Sequence, residues 1–261
     1  MIKSNYKVVE RRTAKAIFKI FFTFLLNDTV NSLILIIKKN RRYSFNSQKY
    51  IGINLGSSTD SPPRWIGISG GITIFIFNLP VIFMALLYPF TGRSKKMSFK
   101  EFYRKVKSNK VLHHNLFYGI PFRNNSIPNV FSSHFFEHLT YESARFLFSE
   151  SYRVLTPGGT IRILVPSLEV QLEKMKIALQ ECDAGNYELI QPYITEQFVE
   201  IQDPFSYHRY MYTVDSLKKV MEKEGFSDVN EMTAGVGRMP DLNLLEKRKS
   251  IIVEAVKPLN N

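Results

Sequence analysis

Between residues 125 and 166 the chain spells strand, polar loop, helix, Pro-Gly-Gly turn and strand, which is one parallel βαβ unit. Such a unit commits a chain to an α/β architecture with a mostly parallel sheet. Its first strand, residues 129–133, ends at three titratable side chains, His134, Glu137 and His138. Ligands in open α/β sheets bind outside the carboxyl ends of the strands. The cluster therefore stands where such a fold does its chemistry.

The rest of the chain supplies partners for that unit. Residues 50–56 (Tyr-Ile-Gly-Ile-Asn-Leu-Gly) form a short apolar run ending in glycine, the pattern of a buried first strand. Residues 64–69, 110–116, 129–133 and 160–165 read as the second to fifth strands. Between the last two, Ala144, Leu147, Phe148, Tyr152 and Leu155 recur at helical spacing and predict a helix over 141–155. Another helix covers 214–224 and stops at Gly225. Residues 229–234 and 250–256 are two late strands with no helix between them, hence an antiparallel pair. The expected fold is a doubly wound, mostly parallel seven-stranded sheet with an antiparallel late strand. Residues 72–90 carry no charge and are long enough to span a bilayer. Asn78, Pro80 and Pro89 interrupt the run, and a crossing here would separate the second strand from the third. A core or membrane-facing helix is expected instead.

Charge divides the chain in two. Of a formal net charge of +12, residues 1–49 hold 11 Lys and Arg against Glu10 and Asp28, a net +9, which leaves +3 for the remainder. A nucleic-acid-binding domain would spread a basic patch over its fold, so nucleic acid is not an expected partner. The basic segment is also apolar between residues 16 and 37. Lys15, Lys19, Thr23, Asn27 and Asn31 recur every four residues and form one polar stripe on a helix. Asn27 or Asp28 is placed to cap a second helix. Basic residues flank both ends, which gives no preferred crossing direction. Two uses fit: a helix lying in a membrane interface, or packing on the following domain or a second subunit. Residues 41–49 read as a polar linker, giving an N-terminal helical arm over 1–49 and a domain over 50–261. A lone cysteine, Cys182, excludes an internal disulfide, and points to a reducing, cytoplasmic setting. There is no P-loop, nucleophile elbow or paired-cysteine motif.

Ser-Ser-His-Phe-Phe-Glu-His-Leu followed by Tyr-Arg-Val-Leu-Thr-Pro-Gly-Gly resembles the fourth and fifth strands of class I S-adenosylmethionine-dependent methyltransferases. The likeness is greatest to the small bacterial members associated with surface-polysaccharide synthesis. It extends over residues 50–258 through Ile-Asn-Leu-Gly-Ser-Ser, Arg-Trp-Ile-Gly-Ile-Ser, Gly-Ile-Pro-Phe, His-Arg-Tyr-Met-Tyr and Ser-Ile-Ile-Val-Glu-Ala-Val-Lys-Pro. The resemblance implies a Rossmann-like methyltransferase fold and S-adenosylmethionine as cofactor. It carries the glycine turn onto Gly56, Ser57 and Ser58, the ribose position onto Ser69, the adenine position onto Asn115 and Leu116, and a pocket contact onto His134. Three of these depart from the pattern. Ser58 replaces a second glycine, Ser69 replaces the ribose-binding acid, and Asn115 replaces an aspartate. Losing a charged acceptor at the ribose costs roughly 1.5–3 kcal/mol; Asp60 is a candidate to compensate.

Methyl transfer to a hydroxyl benefits from a base with a pKa near the working pH, which favours histidine. His134 and His208 are the candidates, set against purely structural roles for both; Arg209 beside His208 suits a sugar hydroxyl or a phosphate. The run His134-Phe-Phe-Glu137-His138 has the spacing of one zinc-protease motif. That motif needs a helix, and here a strand ends at its first residue, so no metal is expected. The expected function is O-methylation of a small-molecule or saccharide acceptor, or a glycolipid, by a cytoplasmic protein peripheral to a membrane, with a homodimer among the partners considered. The alternative is a catalytically inactive, methyltransferase-like binding or scaffold protein with a degenerate pocket.

Overall fold

The structure, a computed structural model, describes residues 29–59, 61–183, 208–246 and 250–259. Its sheet runs β3-β2-β1-β4-β5-β7-β6. The strands are β1 Gly52–Leu55, β2 Trp65–Ser69, β3 Lys110–His113, β4 Ile127–Ser133, β5 Leu155–Val165, β6 Ser227–Glu231 and β7 Ile251–Val256. The first five pair in parallel, and β7 runs antiparallel to both β5 and β6. This is the doubly wound, mostly parallel seven-stranded sheet expected from the sequence. The two late strands do pair antiparallel, and β7 is the reversed one. β7 inserts between β5 and β6 because Ile251, Val253 and Ala255 complete one apolar face of the sheet while Ile252 joins the other. In β6 only Val229 is buried, which suits an edge strand.

Every residue of β1 is buried, as the continuous apolar run requires of a strand covered on both faces. One face is covered by helices Tyr141–Val154 and Val214–Lys223, through Ala144, Leu147, Phe148, Leu217, Val220 and Met221. The first of these helices is capped by Thr140, whose side chain accepts from the Ser143 N–H. The second has a reciprocal capping box between Thr213 and Ser216, and ends at Gly225 with φ +95°. The opposite face packs Trp65, Phe131, Leu164 and Ile252 against Met239, Leu242 and Leu245. Arg162 lies fully buried on that side. It donates through Nε to Glu246 (2.6 Å) and through Nη1 to Glu254 (2.8 Å) and the Val236 carbonyl (2.9 Å). All its neighbours thus answer its charge or its donors.

Residues 72–90 form two short helices rather than one. Ile72–Phe77 is buried, and Val81–Leu87 follows Pro80. Asn78 ends the first helix by donating to the carbonyls of Ile74 and Val111. Met84 alone is buried in the second helix, while Val81, Ile82, Phe83 and Leu86 are exposed. Among the described residues no helix is long and apolar enough to cross a membrane.

Asn27 and Asp28, the expected caps, lie outside the described residues. The helix Asn31–Lys38 is described, and its polarity is reversed from a simple amphipathic reading. Asn31, the last member of the polar stripe, is buried; Leu33, Ile36 and Ile37 are exposed. The reason is a polar dock. Asn31 Nδ2 donates to the Gly70 carbonyl (2.9 Å), His113 Nε2 lies 2.8 Å from Asn31 Oδ1, and Lys38 Nζ lies 3.3 Å from His113 Nδ1. Residues 41–49, expected as a polar linker, also bind the domain. Tyr43 and Phe45 pack on Phe122, and the Tyr43 N–H donates to the Pro121 carbonyl.

Candidate active site

The strand order reverses between β1 and β4, and a cavity of about 440 Å³ opens at the carboxyl ends of β1, β2 and β3. That volume suits a small-molecule site. Gly56 ends β1 with φ +67°, and a Cβ there would sit 2.2 Å from the Phe135 ring. Glycine is thus required both for the turn and for the close approach of Phe135. Ser57 does not line the cavity. Its hydroxyl packs down on β2, so that a Cβ on Gly67 would lie 2.3 Å from it. Ser58 lines the rim with φ +50°, the left-handed conformation that the missing glycine would adopt at lower cost. Its Oγ accepts from Arg93 Nη2 at 2.8 Å.

Ser69 and Gly70 continue the wall from β2. After β3, Asn115 Oδ1 accepts from the Phe117 N–H (3.0 Å) and caps a 3-10 turn over Leu116–Tyr118. Its acceptor is thereby engaged, which leaves the amide NH2 as the group to offer a base edge. Leu116 and Phe117 line the same wall. His113 is turned away, toward Asn31 and Lys38; burial and the Lys38 charge push its pKa down to about 4. His114 is buried and lies 3.0 Å from the Gly119 carbonyl through Nε2; burial lowers its pKa too.

The opposite wall comprises Phe135, His138, Leu139, Ser143, Leu147 and Arg209. His134, expected in the cofactor pocket, is not among the lining residues. With φ +52° at the end of β4, it turns toward β7, where Nε2 lies 2.8 Å from Ser250 Oγ. Its Nδ1 lies 3.2 Å from Glu137 Oε1. The left-handed turn gives its place at the cavity to Phe135. Glu137 is buried in a 3-10 turn over Phe136–His138, so the His-x-x-Glu-His run is not helical. The Glu137 carbonyl accepts from the N–H groups of Arg209 (2.7 Å) and Tyr210 (3.1 Å). That clamp brings the 208–212 segment against the turn and sets the rings of His138 and His208 at 5.2 Å between centroids. Tyr212, buried below, has its hydroxyl pKa raised by burial and by the nearby Tyr210 and Glu137.

Sequence reading thus placed Gly56, Ser58, Ser69, Asn115 and Leu116 on a wall that the fold does assemble. It missed Phe135, Leu139, Ser143 and Leu147. The helical spacing of Leu147 was visible, but it read as core only. The residues fit S-adenosylmethionine in the open volume and in the Asn115 amide. No carboxylate is among the described lining residues, and Asp60 lies outside the described ones.

Residues 91–163 match the family described as "Methyltransferase domain"; the match spans β3 to β5 and leaves out the glycine turn. No curated protein matches the chain. Among solved structures, a SAM-dependent methyltransferase from Thermotoga maritima is 15% identical over 93% of this chain and 96% of its own, at a TM-score of 0.41. One from Archaeoglobus fulgidus is 14% identical over 91% and 99%, at 0.42. Phosphoethanolamine N-methyltransferase 2 of Haemonchus contortus, in complex with S-adenosyl-L-methionine, is 16% identical over 84% of this chain but 43% of its own, at 0.36. The family match and the parallel strand order together support a methyltransferase domain over this part of the chain.

Proposed function

We propose that the chain O-methylates a saccharide or glycolipid at the cytoplasmic face of a membrane. One observation carries this reading. The cavity is open between the wall that suits the cofactor and a second wall carrying His138 and Arg209, with His208 beside them. S-adenosylmethionine supplies an electrophilic methyl group when bound. The backbone at Gly56 and Ser58 holds its methionine end, Ser69 the ribose, and Asn115 with Leu116 the adenine. Orientation then provides much of the acceleration. The acceptor hydroxyl must lose a proton, and the histidines nearest the open wall are His138 and His208. His134 becomes a positioning residue through Glu137. Arg209 offers a fork of donors to sugar oxygens or a phosphate. The membrane setting is supported by the exposed apolar side chains of helices Asn31–Lys38 and Val81–Leu87, and by the basic arm. A homodimer through these faces is the competing use.

The second reading, a binding module without activity, is favoured by the absence of a carboxylate among the described lining residues. Calorimetric titration of the full chain with S-adenosylmethionine and S-adenosylhomocysteine separates the two. Micromolar binding is expected. No heat at millimolar ligand would overturn the enzyme reading.

A further inference from the structure

Glu137 is 1% exposed, and neither carboxylate oxygen has a hydrogen-bond partner. The contact from His134 Nδ1, 3.2 Å from Oε1, is close but not aligned as a hydrogen bond. A carboxylate taken out of water in this way demands a cation or a set of donors. Besides His134, two further imidazoles stand beside it. One ligand atom each from Glu137, His138 and His208 all lie within 4.8 Å of one another. Tetrahedral donors at the usual zinc–nitrogen distance of about 2.0–2.1 Å stand roughly 3.4 Å apart, so side-chain rotation closes the remaining gap. The elements that carry the trio are already fastened together by the backbone clamp from Arg209 and Tyr210 to the Glu137 carbonyl.

We propose that Glu137, His138 and His208 form a binding site for a divalent transition-metal ion of the zinc class. The set is not the one suggested by the His134-x-x-Glu-His spacing: His208, seventy residues beyond His138, takes the place of His134. Two histidines and one carboxylate are a donor set of open metal sites, which leave a coordination position for a further oxygen. His138 lines the cavity, so the open position faces it. Resting on the methyltransferase reading, the use of the site is to hold the acceptor's hydroxyl and ease the loss of its proton, as a divalent ion does for water; His138 and His208 then serve as ligands, and the ion takes over the part given to them as bases. His134 holds Glu137 from behind, between it and Ser250. The Tyr212 hydroxyl, also buried without a partner, is the neutral donor that would serve Glu137 if no ion bound.

The test uses the untagged full chain, stripped with chelator and titrated with Zn2+ against a chromophoric competitor. Co2+ serves as a spectroscopic probe of coordination number. One equivalent per chain is expected, with visible Co2+ bands of four- or five-coordinate intensity. His208→Ala and Glu137→Gln should each weaken binding by roughly a hundredfold, whereas His134→Ala should weaken it by about tenfold or less. Circular dichroism confirms that each variant is folded; His208→Ala lies on a surface segment and serves should Glu137→Gln fail to fold. No stoichiometric ion, or binding indifferent to His208→Ala, overturns the proposal. Titration with S-adenosylmethionine in parallel keeps the two readings apart. Cofactor binding without metal binding removes the metal site alone, and metal binding without cofactor binding removes the methyltransferase reading alone.

Discussion

At residue scale, the site depends on three left-handed backbone positions, Gly56, Ser58 and His134. Gly56 adopts its conformation without a side chain, and the Phe135 ring occupies the space so released. His134 adopts the same kind of conformation at the end of β4; histidine tolerates it better than bulkier residues do. The ionisation of His113 is linked to stability. Its folded pKa, about 4, lies below the ordinary value of 6.5. The unfolded chain therefore takes up the proton first, and folding loses stability as pH falls from about 6.5 towards 4. The ceiling on this loss is about 3 kcal/mol. His113→Gln keeps a donor for Asn31 but cannot titrate. Urea midpoints of this variant should fall less steeply between pH 7 and pH 4.5 than those of the wild type. Equal slopes would show that His113 is not the group responsible.

At the scale of elements, two short helices determine what the outer surface offers. Asn31–Lys38 is held by polar side chains and turns Leu33, Ile36 and Ile37 outward. Val81–Leu87 keeps only Met84 inside and exposes Ile82, Phe83 and Leu86. Both invert the arrangement that an amphipathic pattern leads one to expect, and such faces mark contact with lipid or protein. The membrane proposal predicts that the protein sediments with vesicles of phosphatidylcholine and phosphatidylserine. Binding should weaken with added salt, and should fall several-fold in Ile82→Glu/Phe83→Glu. Unchanged sedimentation of that double variant would take the Val81–Leu87 helix out of the membrane reading. Loss of self-association instead would favour a homodimer.

At the scale of the whole molecule, both faces of the sheet are devoted to packing and one end to the cavity. Arg162 joins β5 to β7 and to the segment around residues 233–246 by pairing with Glu254 and Glu246. Removing one member of a buried set strands the others. Arg162→Met should lower unfolding free energy by about 3–5 kcal/mol, measured by urea denaturation. The triple variant Arg162→Met/Glu246→Gln/Glu254→Gln should recover part of that loss. A change under about 1 kcal/mol in the single variant would mean that the network is not desolvated as its burial implies.

The parallel sheet, the approximate strand positions and the helix after β4 were legible in the chain itself, because local apolar periodicity decides them; the Pro-Gly-Gly run, read as a turn, is instead part of β5, which begins at Leu155. The wall from Gly56 to Leu116 came from the family resemblance, which carries its positions onto the carboxyl ends of β1, β2 and β3. Tertiary structure alone decided three things. It placed β7 inside the sheet, a matter of which apolar faces meet. It turned Asn31 inward, because buried carbonyl and imidazole groups of the domain needed a partner. It also exchanged His134 for Phe135 at the cavity and drew His208 to Glu137 and His138, through a backbone dihedral and hydrogen bonds between segments far apart in sequence. Such contacts leave no period or spacing behind them, and only the folded chain brings them together.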